Sequence, residues 1–378
     1  MSNRIERRVG VLLCILVGFA LLGNTATAQS KVGQEIAQYL TWINSPRAVG
    51  MGGCSVNLVY EQAGLYNPGA LGLYHLTRFA SLSFPGKVEW VPGIEGLNFG
   101  SYGVSGGLST KSLRKSKILG ADVSVGLAYF RRRLDSGSLY EYSYEPMGLG
   151  IFVFDESCHS YSFGIGIEQY ARLGLGYTYK VLKQQWSDSR SGGWERSSDG
   201  VGDFGVLFEV PFSGILPRRN GRSTADSMYM SYDFTVSMAY VILNMGTLDY
   251  DGGPYWLPQT PRAGLSCYGA LRQSRLTLGS VRLSYEEDAD SWIKRYGTEI
   301  GIMDIFAIRL GRIEDTSWDA QPITNTVGWG ISLRGILALL RRTNVLRPSN
   351  ALISHISRNL DLSYDYASHR VNSPFESD

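Results

Sequence analysis

Apolar and polar residues alternate along most of the chain beyond residue 76. The clearest run is ARLGLGYTYKV at residues 171–181, in which every second residue is apolar or aromatic. The same alternation occurs at residues 120–130, 324–335 and 357–367. A period of two residues is typical of a β-strand with one apolar face. The pattern predicts an all-β fold with strands of about 9–11 residues, the length that a tilted strand needs to cross a bilayer.

A soluble β-sandwich also alternates apolar and polar residues, so alternation alone does not separate it from a membrane barrel. Two further features favour the barrel. The face opposite the apolar one is rich in Gly, Ser, Asp and Arg, as in a wet lumen, and many strand candidates follow one another without a domain boundary. We therefore expect a transmembrane antiparallel β-barrel over residues 77–378. Tyrosines near the strand ends are expected to form girdles at the membrane interfaces: Tyr129, Tyr177, Tyr179, Tyr364 and Tyr366.

Residues 1–28 have the three parts of a secretory signal peptide. Arginines at positions 4, 7 and 8 precede the apolar run VGVLLCILVGFALLG, and Ala26 and Ala28 follow it. The apolar run is too short to span a membrane comfortably. Cys14 lies inside the run rather than after it, which disfavours a lipoprotein. We expect cleavage near Gln29, export from the cytoplasm and a location in the outer membrane.

Residues 45–75, SPRAVGMGGCSVNLVYEQAGLYNPGALGLYH, do not alternate. They contain many glycines, an Asn67-Pro68 step and almost no charge. This composition disfavours a long helix, because glycine loses more backbone entropy in a helix than other residues do. Residues 29–76 are therefore expected to form an irregular N-terminal segment distinct from the strands.

The composition excludes several classes of function. Lys and Arg number 36 against 34 Asp and Glu, so the chain lacks the basic excess of a nucleic-acid-binding protein. Beyond the signal peptide the cysteines are Cys54, Cys158 and Cys267, whose wide spacing predicts neither a disulfide framework nor a zinc site. The four histidines share no metal-ligand spacing, so no cofactor is expected.

The sequence also predicts that the protein is not an enzyme. Cys158 and His159 are adjacent, so on a strand they point to opposite faces and cannot form a nucleophile–base pair. The chain carries no phosphate-binding loop, nucleophile elbow or dinucleotide fingerprint. An outer-membrane phospholipase would need His and Ser on one face, for which His159 with Ser160 or Ser162 is the only local candidate.

The opening segment resembles the N-terminal region of the FadL-type and PorV/PorQ-type outer-membrane barrels. These open with an R-A-x-G-M-G run followed by an N-P-A-x-L step. Gly69 departs from the second motif, in which alanine usually follows proline directly. Three later stretches are also similar to the family: DGVGDFGVLFEVP, YWLPQTPRAGLSCYG and GTEIGIMDIFAIRLGRIED. The matching positions of the opening segment are Arg47, Ala48, Gly50, Met51, Gly52, Gly53, Asn67, Pro68, Ala70 and Leu71.

The resemblance implies a barrel of about 14 strands with residues 29–76 folded inside its lumen as a hatch. A plug brings backbone close to inward-facing side chains, which favours glycine, and holds an irregular path, which favours Asn-Pro. The candidate hatch or gate residues are Arg47, Gly50, Met51, Gly52, Gly53, Asn67 and Pro68.

The resemblance leaves three functions open. The FadL type implies a conduit for uptake of hydrophobic small molecules past the hatch. The PorV/PorQ type implies a component of the type IX protein-secretion system that binds protein partners and transports nothing itself, and a purely structural barrel is the third alternative. Expected partners are outer-membrane lipid, hydrophobic small molecules or secretion-system proteins. Basic runs beginning at Arg131, Arg218 and Arg341 are expected to be solvated loops or contacts to anionic lipid headgroups.

Overall fold

The computed structural model of the protein describes residues 37–76, 80–85, 88–89, 98–110, 121–141, 150–188, 192–212, 230–250, 253–273, 276–289, 292–315, 323–342 and 363–371. The expected signal peptide, residues 29–36 of the expected hatch and the basic run at Arg218 lie outside the described residues.

The N-terminal segment, residues 37–76, contains short helices and turns, and strands make up most of the described chain after it. Its 3₁₀ helices span Gln38–Thr41 and Tyr74–Leu76. The α-helices are α1 (Pro46–Gly50), α2 (Ala63–Tyr66), α3 (Pro68–Leu71) and, near the C-terminus, α4 (Leu333–Arg342). The strands are β1 (Ala80–Ser83), β2 (Val88–Glu89), β3 (Asn98–Ser109), β4 (Asp122–Glu141), β5 (Gly150–Glu168), β6 (Arg172–Asp188), β7 (Gly192–Pro211), β8 (Met230–Met245), β9 (Thr247–Tyr250), β10 (Gly253–Trp256), β11 (Thr260–Gln273), β12 (Leu276–Asp288), β13 (Ile293–Ile302), β14 (Phe306–Asp315), β15 (Ile323–Ser332) and β16 (Ser363–Val371).

The long strands form one antiparallel sheet. Its described pairings follow chain order from β1 to β16, with β9 and β10 as a separate hairpin between β8 and β11. β1 and β2 both pair with β3 and therefore share one edge. The expected all-β, antiparallel fold is confirmed, whereas closure of the sheet and the expected strand number stay predictions. Among the described residues, no helix is long and apolar enough to cross a membrane.

The two faces of the sheet differ in burial. We call the face that contacts the N-terminal segment the covered face and the other the open face. On β6, Leu175, Tyr177 and Tyr179 project from the open face, whereas Thr178 and Lys180 are buried on the covered face. The alternation in the sequence therefore predicted the correct phase.

Two boundary expectations need correction. One alternative for the run at Arg131 was a solvated loop, but the run is part of β4, which continues to Glu141 because its pairing with β5 extends past the arginines. Arg132 is consequently buried on the covered face, and its two neighbours lie on the open face. The alternating run that ends at residue 367 also falls short of the strand end, since β16 reaches Val371.

The open face of β3 to β6 is layered along the strand direction, because the register places side chains of similar character in one row. Two apolar rows come first, Leu108–Val125–Ile165–Leu175 and then Leu127–Phe163–Tyr177. The next row is Tyr129–Tyr161–Tyr179, and the rows beyond it contain Arg131 with His159, Arg133 with Lys183, and Asp135 with Asp155.

The open face of β12 to β15 is layered in the same order. The apolar rows are Val281–Ile300–Ile308–Trp329 and Leu283–Thr298–Leu310–Val327. Tyr285 and Tyr296 come next, beside Arg312, and the row beyond them is Glu287–Lys294–Glu314.

The covered face is packed where the sequence suggested a wet lumen. Thr178 and Ser124 are almost fully buried, and both donate hydrogen bonds to backbone carbonyls of the N-terminal segment. Lys180 and Asp203 are also buried here and form an ion pair of 2.6 Å. Asp203 additionally accepts a hydrogen bond from the backbone N–H of Asn244 at 2.7 Å. Polar groups on this face therefore depend on direct protein partners.

This pair gives a test of the packing. Asp203→Ala leaves the Lys180 ammonium buried without its carboxylate, which should destabilise the protein by roughly 3–5 kcal/mol. Asp155→Ala removes an equivalent charge from the exposed Arg133–Asp155 pair and should cost about 1 kcal/mol or less. Denaturant unfolding of the two variants measures the difference. Equal losses of stability would mean that Lys180 is accessible to water.

Candidate functional site at the N-terminal segment

The N-terminal segment lies on the covered face and contacts strands at both ends of the sheet. Near one end, the Gln62 amide donates to the Ser83 hydroxyl of β1 at 2.8 Å. Near the other end, α1 packs against β14, β15 and β16. None of the described strand pairings includes residues 37–76, so the segment is held by side chains and close backbone contacts.

Helix α1 begins with a polar cap and is followed, after Met51, by two glycines in the left-handed conformation. The Ser45 hydroxyl accepts from the Ala48 N–H at 3.4 Å, and Pro46 occupies the first turn, where its missing N–H costs nothing. Gly52 and Gly53 have φ values of +68° and +81°, which L side chains rarely adopt. The Gly52 N–H then donates to the Thr326 hydroxyl at 2.9 Å. Glycine at these two positions therefore turns the chain off α1 onto the sheet.

Arg47 connects α1 to a buried charge network. Its guanidinium makes two hydrogen bonds to the Glu299 carboxylate, at 3.0 and 2.7 Å. Arg309 donates to the same carboxylate at 2.7 Å and to Asp365 at 2.6 Å. Burial lowers the pKa of Arg47, but the Glu299 charge outweighs it, so the net pKa is raised and Arg47 stays charged. Gly50 lies directly beside this network, against Gly328 and Arg309.

A second network holds the chain just after α1. The backbone N–H groups of Ser55 and Val56 both donate to Glu286, at 2.7 and 3.1 Å. Arg262 and Arg295 flank this carboxylate and share Asp288 as a second acid: Arg262 is 3.1 Å from it, and Arg295 donates to it at 2.8 Å. The four sheet charges balance one another, so Glu286 can fix two segment amides without leaving a net buried charge.

Met51 and Cys54 fill the space between these networks. Met51 is fully buried against Gly297, and the Cys54 Sγ lies 3.8 Å from the Ser284 carbonyl oxygen. Burial raises the pKa of the Cys54 thiol well above its ordinary value. A thiol in this state is a poor nucleophile, and its environment is that of a packed core.

The Asn67-Pro68 step starts α3 and binds the sheet. The Asn67 Oδ1 accepts from the Gly69 N–H at 2.9 Å, and its Nδ2 donates to the carbonyls of Val56 and Val206 at 2.8 and 3.2 Å. One side chain therefore caps a helix and joins two parts of the segment to β7. The Gly69 that departs from the family pattern has its Cα against the Gly205 carbonyl.

Glycines on β4 to β7 make room for α3. A Cβ built on Gly126 would overlap the carbonyl oxygen of Leu71. The same close approach to residues 68–72 occurs at Gly164, Gly166, Gly174, Gly176 and Gly205. The glycines that alternate with apolar residues in these strands therefore form the surface on which the segment backbone rests.

A separate apolar cluster lies where the described segment begins. It joins segment residues to the covered face and consists of Ala37, Tyr39, Leu40, Phe99, Leu134, Cys158, Leu182, Val201 and Leu257, with Trp42 packed against it. Arg132 is buried beside it and donates to the Leu40 carbonyl at 3.0 Å. Its Nε and Nη2 are buried without a hydrogen-bond partner in the described structure.

The structure brings the seven sequence-predicted residues to one interface, namely Arg47, Gly50, Met51, Gly52, Gly53, Asn67 and Pro68. The sequence analysis did not identify Glu286, Glu299 and Arg132 as charged side chains that contact the segment. A charged residue on the Gly- and Ser-rich face of a strand is the signal that could have indicated them. Cys158 and His159 lie on opposite faces as expected, and no group of metal-ligating side chains converges within the described residues.

Comparison with known proteins adds no family assignment. No protein-family model matches the chain, and no curated protein matches it.

The glycine surface gives the second test. Gly126→Ala places a methyl group against Leu71 and should destabilise the protein by about 1–3 kcal/mol through overpacking. Gly269→Ala is the matched control, because nothing lies within 4 Å of a Cβ at this open-face glycine. Thermal unfolding and limited proteolysis within residues 37–76 report the two effects. Indistinguishable variants would contradict the seating of α3 on β4.

Proposed function

We propose that the protein is an outer-membrane β-barrel that conducts hydrophobic small molecules and is not an enzyme. In this proposal the sheet closes around the N-terminal segment, which acts as the hatch. The segment residues that bind the sheet, including Arg47 and Asn67, hold the closed state. Outer-membrane lipid surrounds the open face, and the resemblance to FadL-type barrels agrees with this arrangement.

The layering of the open face supports the membrane location. Apolar rows followed by tyrosines and then by charged side chains match the sequence of environments from hydrocarbon to headgroups. Leu127 illustrates the point, since 60% of its surface is exposed at one end of an apolar row. A chain in water would gain nothing from such a layered surface.

The contacts of the N-terminal segment support closure. Its described residues, 37–76, bind Ser83 on the first strand and pack through α1 on the last described strand. Most of its side chains are buried between these contacts. A sheet that curls around the segment accounts for both observations.

The apolar cluster beside Arg132 carries the proposal of a conduit. It provides a hydrophobic environment next to a buried cation with two unpaired donors, a combination suited to an apolar molecule with an acidic head. Segment residues 37–42 occupy it now, and no β-ladder fixes them there. Movement of the segment would therefore open the cluster without breaking sheet pairing.

The second candidate function is a PorV/PorQ-like component of a type IX secretion system that binds protein partners. The dense packing of the segment favours it, because Met51, Asn67 and Leu71 are fully buried. A barrel whose lumen the segment fills permanently would bind its partners through its outer surface or loops. A purely structural barrel would have the same packing.

The membrane proposal predicts depth-dependent tolerance of charge. Leu127→Arg should impair assembly, since Arg in hydrocarbon costs roughly 2–4 kcal/mol. Gln185→Arg is the control, because Gln185 is exposed on the same face beside Asp155 in the charged rows. Outer-membrane fractionation and heat-modifiable gel migration measure assembly. Recovery of the unaltered chain as a soluble periplasmic monomer would remove the membrane proposal.

The conduit proposal predicts the effect of removing the hatch. Deletion of residues 45–75 should leave an assembled barrel, because the ladders and the apolar rows lie elsewhere, and its conductance should rise. Planar-bilayer recordings and uptake of a hydrophobic dye measure the change. Asn67→Ala combined with Pro68→Ala should produce a smaller increase, since it loosens a turn but leaves Arg47 bound. Unchanged conductance and uptake in the deletion variant would favour the protein-partner function.

A further inference from the structure

We propose that the open face of β4 to β6 binds the phosphate of a membrane-lipid headgroup through a basic patch formed by Arg131, Arg133, His159 and Lys183. This inference rests on the membrane location in the proposed function. It narrows the expected lipid contact to the phosphate of one headgroup and to a defined site that neither transport nor secretion requires.

The register brings the four side chains together. Arg131 and His159 are cross-strand partners, and Ser157 is the partner of both Arg133 and Lys183. Neighbouring strands are about 4.8 Å apart, so the patch is about 10 Å wide across three strands. This width suits one or two phosphate groups in contact with several donors.

The patch carries positive charge that the described residues do not neutralise. Arg133 is paired with Asp155 at 2.6 Å and with Asp135 at 3.3 Å. Arg131, in contrast, contacts the Tyr102 hydroxyl at 3.4 Å and forms no ion pair with a described acidic side chain. Lys183 is exposed and likewise has no acidic partner in the described part of the chain. Two cations are therefore available to an anionic ligand.

The position of the patch selects a lipid as the source of that anion. The row next to it consists of Tyr129, Tyr161 and Tyr179, and the Tyr129 hydroxyl is hydrogen-bonded to His159 Nδ1 at 2.9 Å. Amphipathic rings lie at the boundary between hydrocarbon and headgroups, so cations one or two rows further out lie at headgroup depth. A lipid bound here would place its chains along the apolar rows of β3 to β6.

The equivalent rows of β12 to β14 lack this surplus. Arg312 is paired with Glu314 at 2.6 Å, and Lys294 has Glu287 and Glu314 as its cross-strand partners. Acidic and basic side chains are balanced there. The basic patch is therefore a local feature of β4 to β6, and the balanced rows supply an internal control.

The test uses the full-length mature chain purified in a neutral detergent. Native mass spectrometry of titrations with phosphatidic acid and with phosphatidylcholine measures lipid binding. Arg131→Gln with Lys183→Gln should weaken phosphatidic acid binding by about fivefold for each cation removed, hence roughly 25-fold. Lys294→Gln with Arg312→Gln removes the same charge from the balanced rows and should leave binding unchanged.

Two results of the titrations would overturn the assignment. Phosphatidic acid binding that is equal in the two double variants, whether unchanged or weakened in both, would remove the site. Competition by inorganic phosphate at the same concentration as phosphatidic acid would instead identify a soluble-anion site. A wild-type chain that does not enter membranes would remove the proposed function and this inference together, whereas a membrane-inserted chain with equal binding removes this inference alone.

Discussion

The close backbone contact between the N-terminal segment and the covered face of the sheet constrains the rest of the structure. Residues 68–72 approach β4 to β7 so closely that a Cβ at Gly126, Gly176 or Gly205 would overlap the segment. Those strands therefore carry glycine at positions where a side chain would add stability to an ordinary sheet. The stability of these strands must come instead from their ladders and from the hydrogen bonds and ion pairs that the covered face makes beside the glycines.

The charged side chains on the covered face are buried and need partners close to them. A buried ion costs several kcal/mol unless a partner and additional hydrogen bonds compensate it. Lys180 and Asp203 satisfy each other, and Glu286 and Asp288 are matched by two arginines within the sheet. Side chains of the sheet therefore neutralise most of the buried charges on the covered face. The segment then binds through backbone N–H groups, as Ser55 and Val56 do at Glu286, which adds hydrogen bonds without adding charge.

The sequence predicted the strands and their phase because a period of two is a local property. Leu175 and Thr178 were placed on the correct faces by that period alone. The plug interpretation of residues 45–75 likewise predicted a close approach of its backbone to neighbouring residues, and Gly52 lies in such a contact, since a Cβ there would be 2.6 Å from the Tyr296 carbonyl oxygen. Pairing between distant residues was not predictable, since nothing near Arg47 in the chain points to Glu299. The extent of β4 was underestimated for a similar reason, because charged residues such as Arg131 end strands in water but not when cross-strand pairing continues.

The two halves of the segment are held in partly different ways. The part around α3 is held by shape, through glycine contacts on β4 to β7. The part around α1 is held by shape as well, since Gly50 and Met51 lie against Gly328 and Gly297, and it is also held by charge, since Arg47 pairs with the sheet carboxylate of Glu299. Arg282 is the cross-strand partner of Glu299 and forms no ion pair with a described acidic side chain. Withdrawal of Arg47 would therefore leave Glu299 between Arg309 and Arg282 and not as a bare buried charge. Neutralisation of Glu299 therefore depends less on Arg47 than the two hydrogen bonds between their side chains alone suggest.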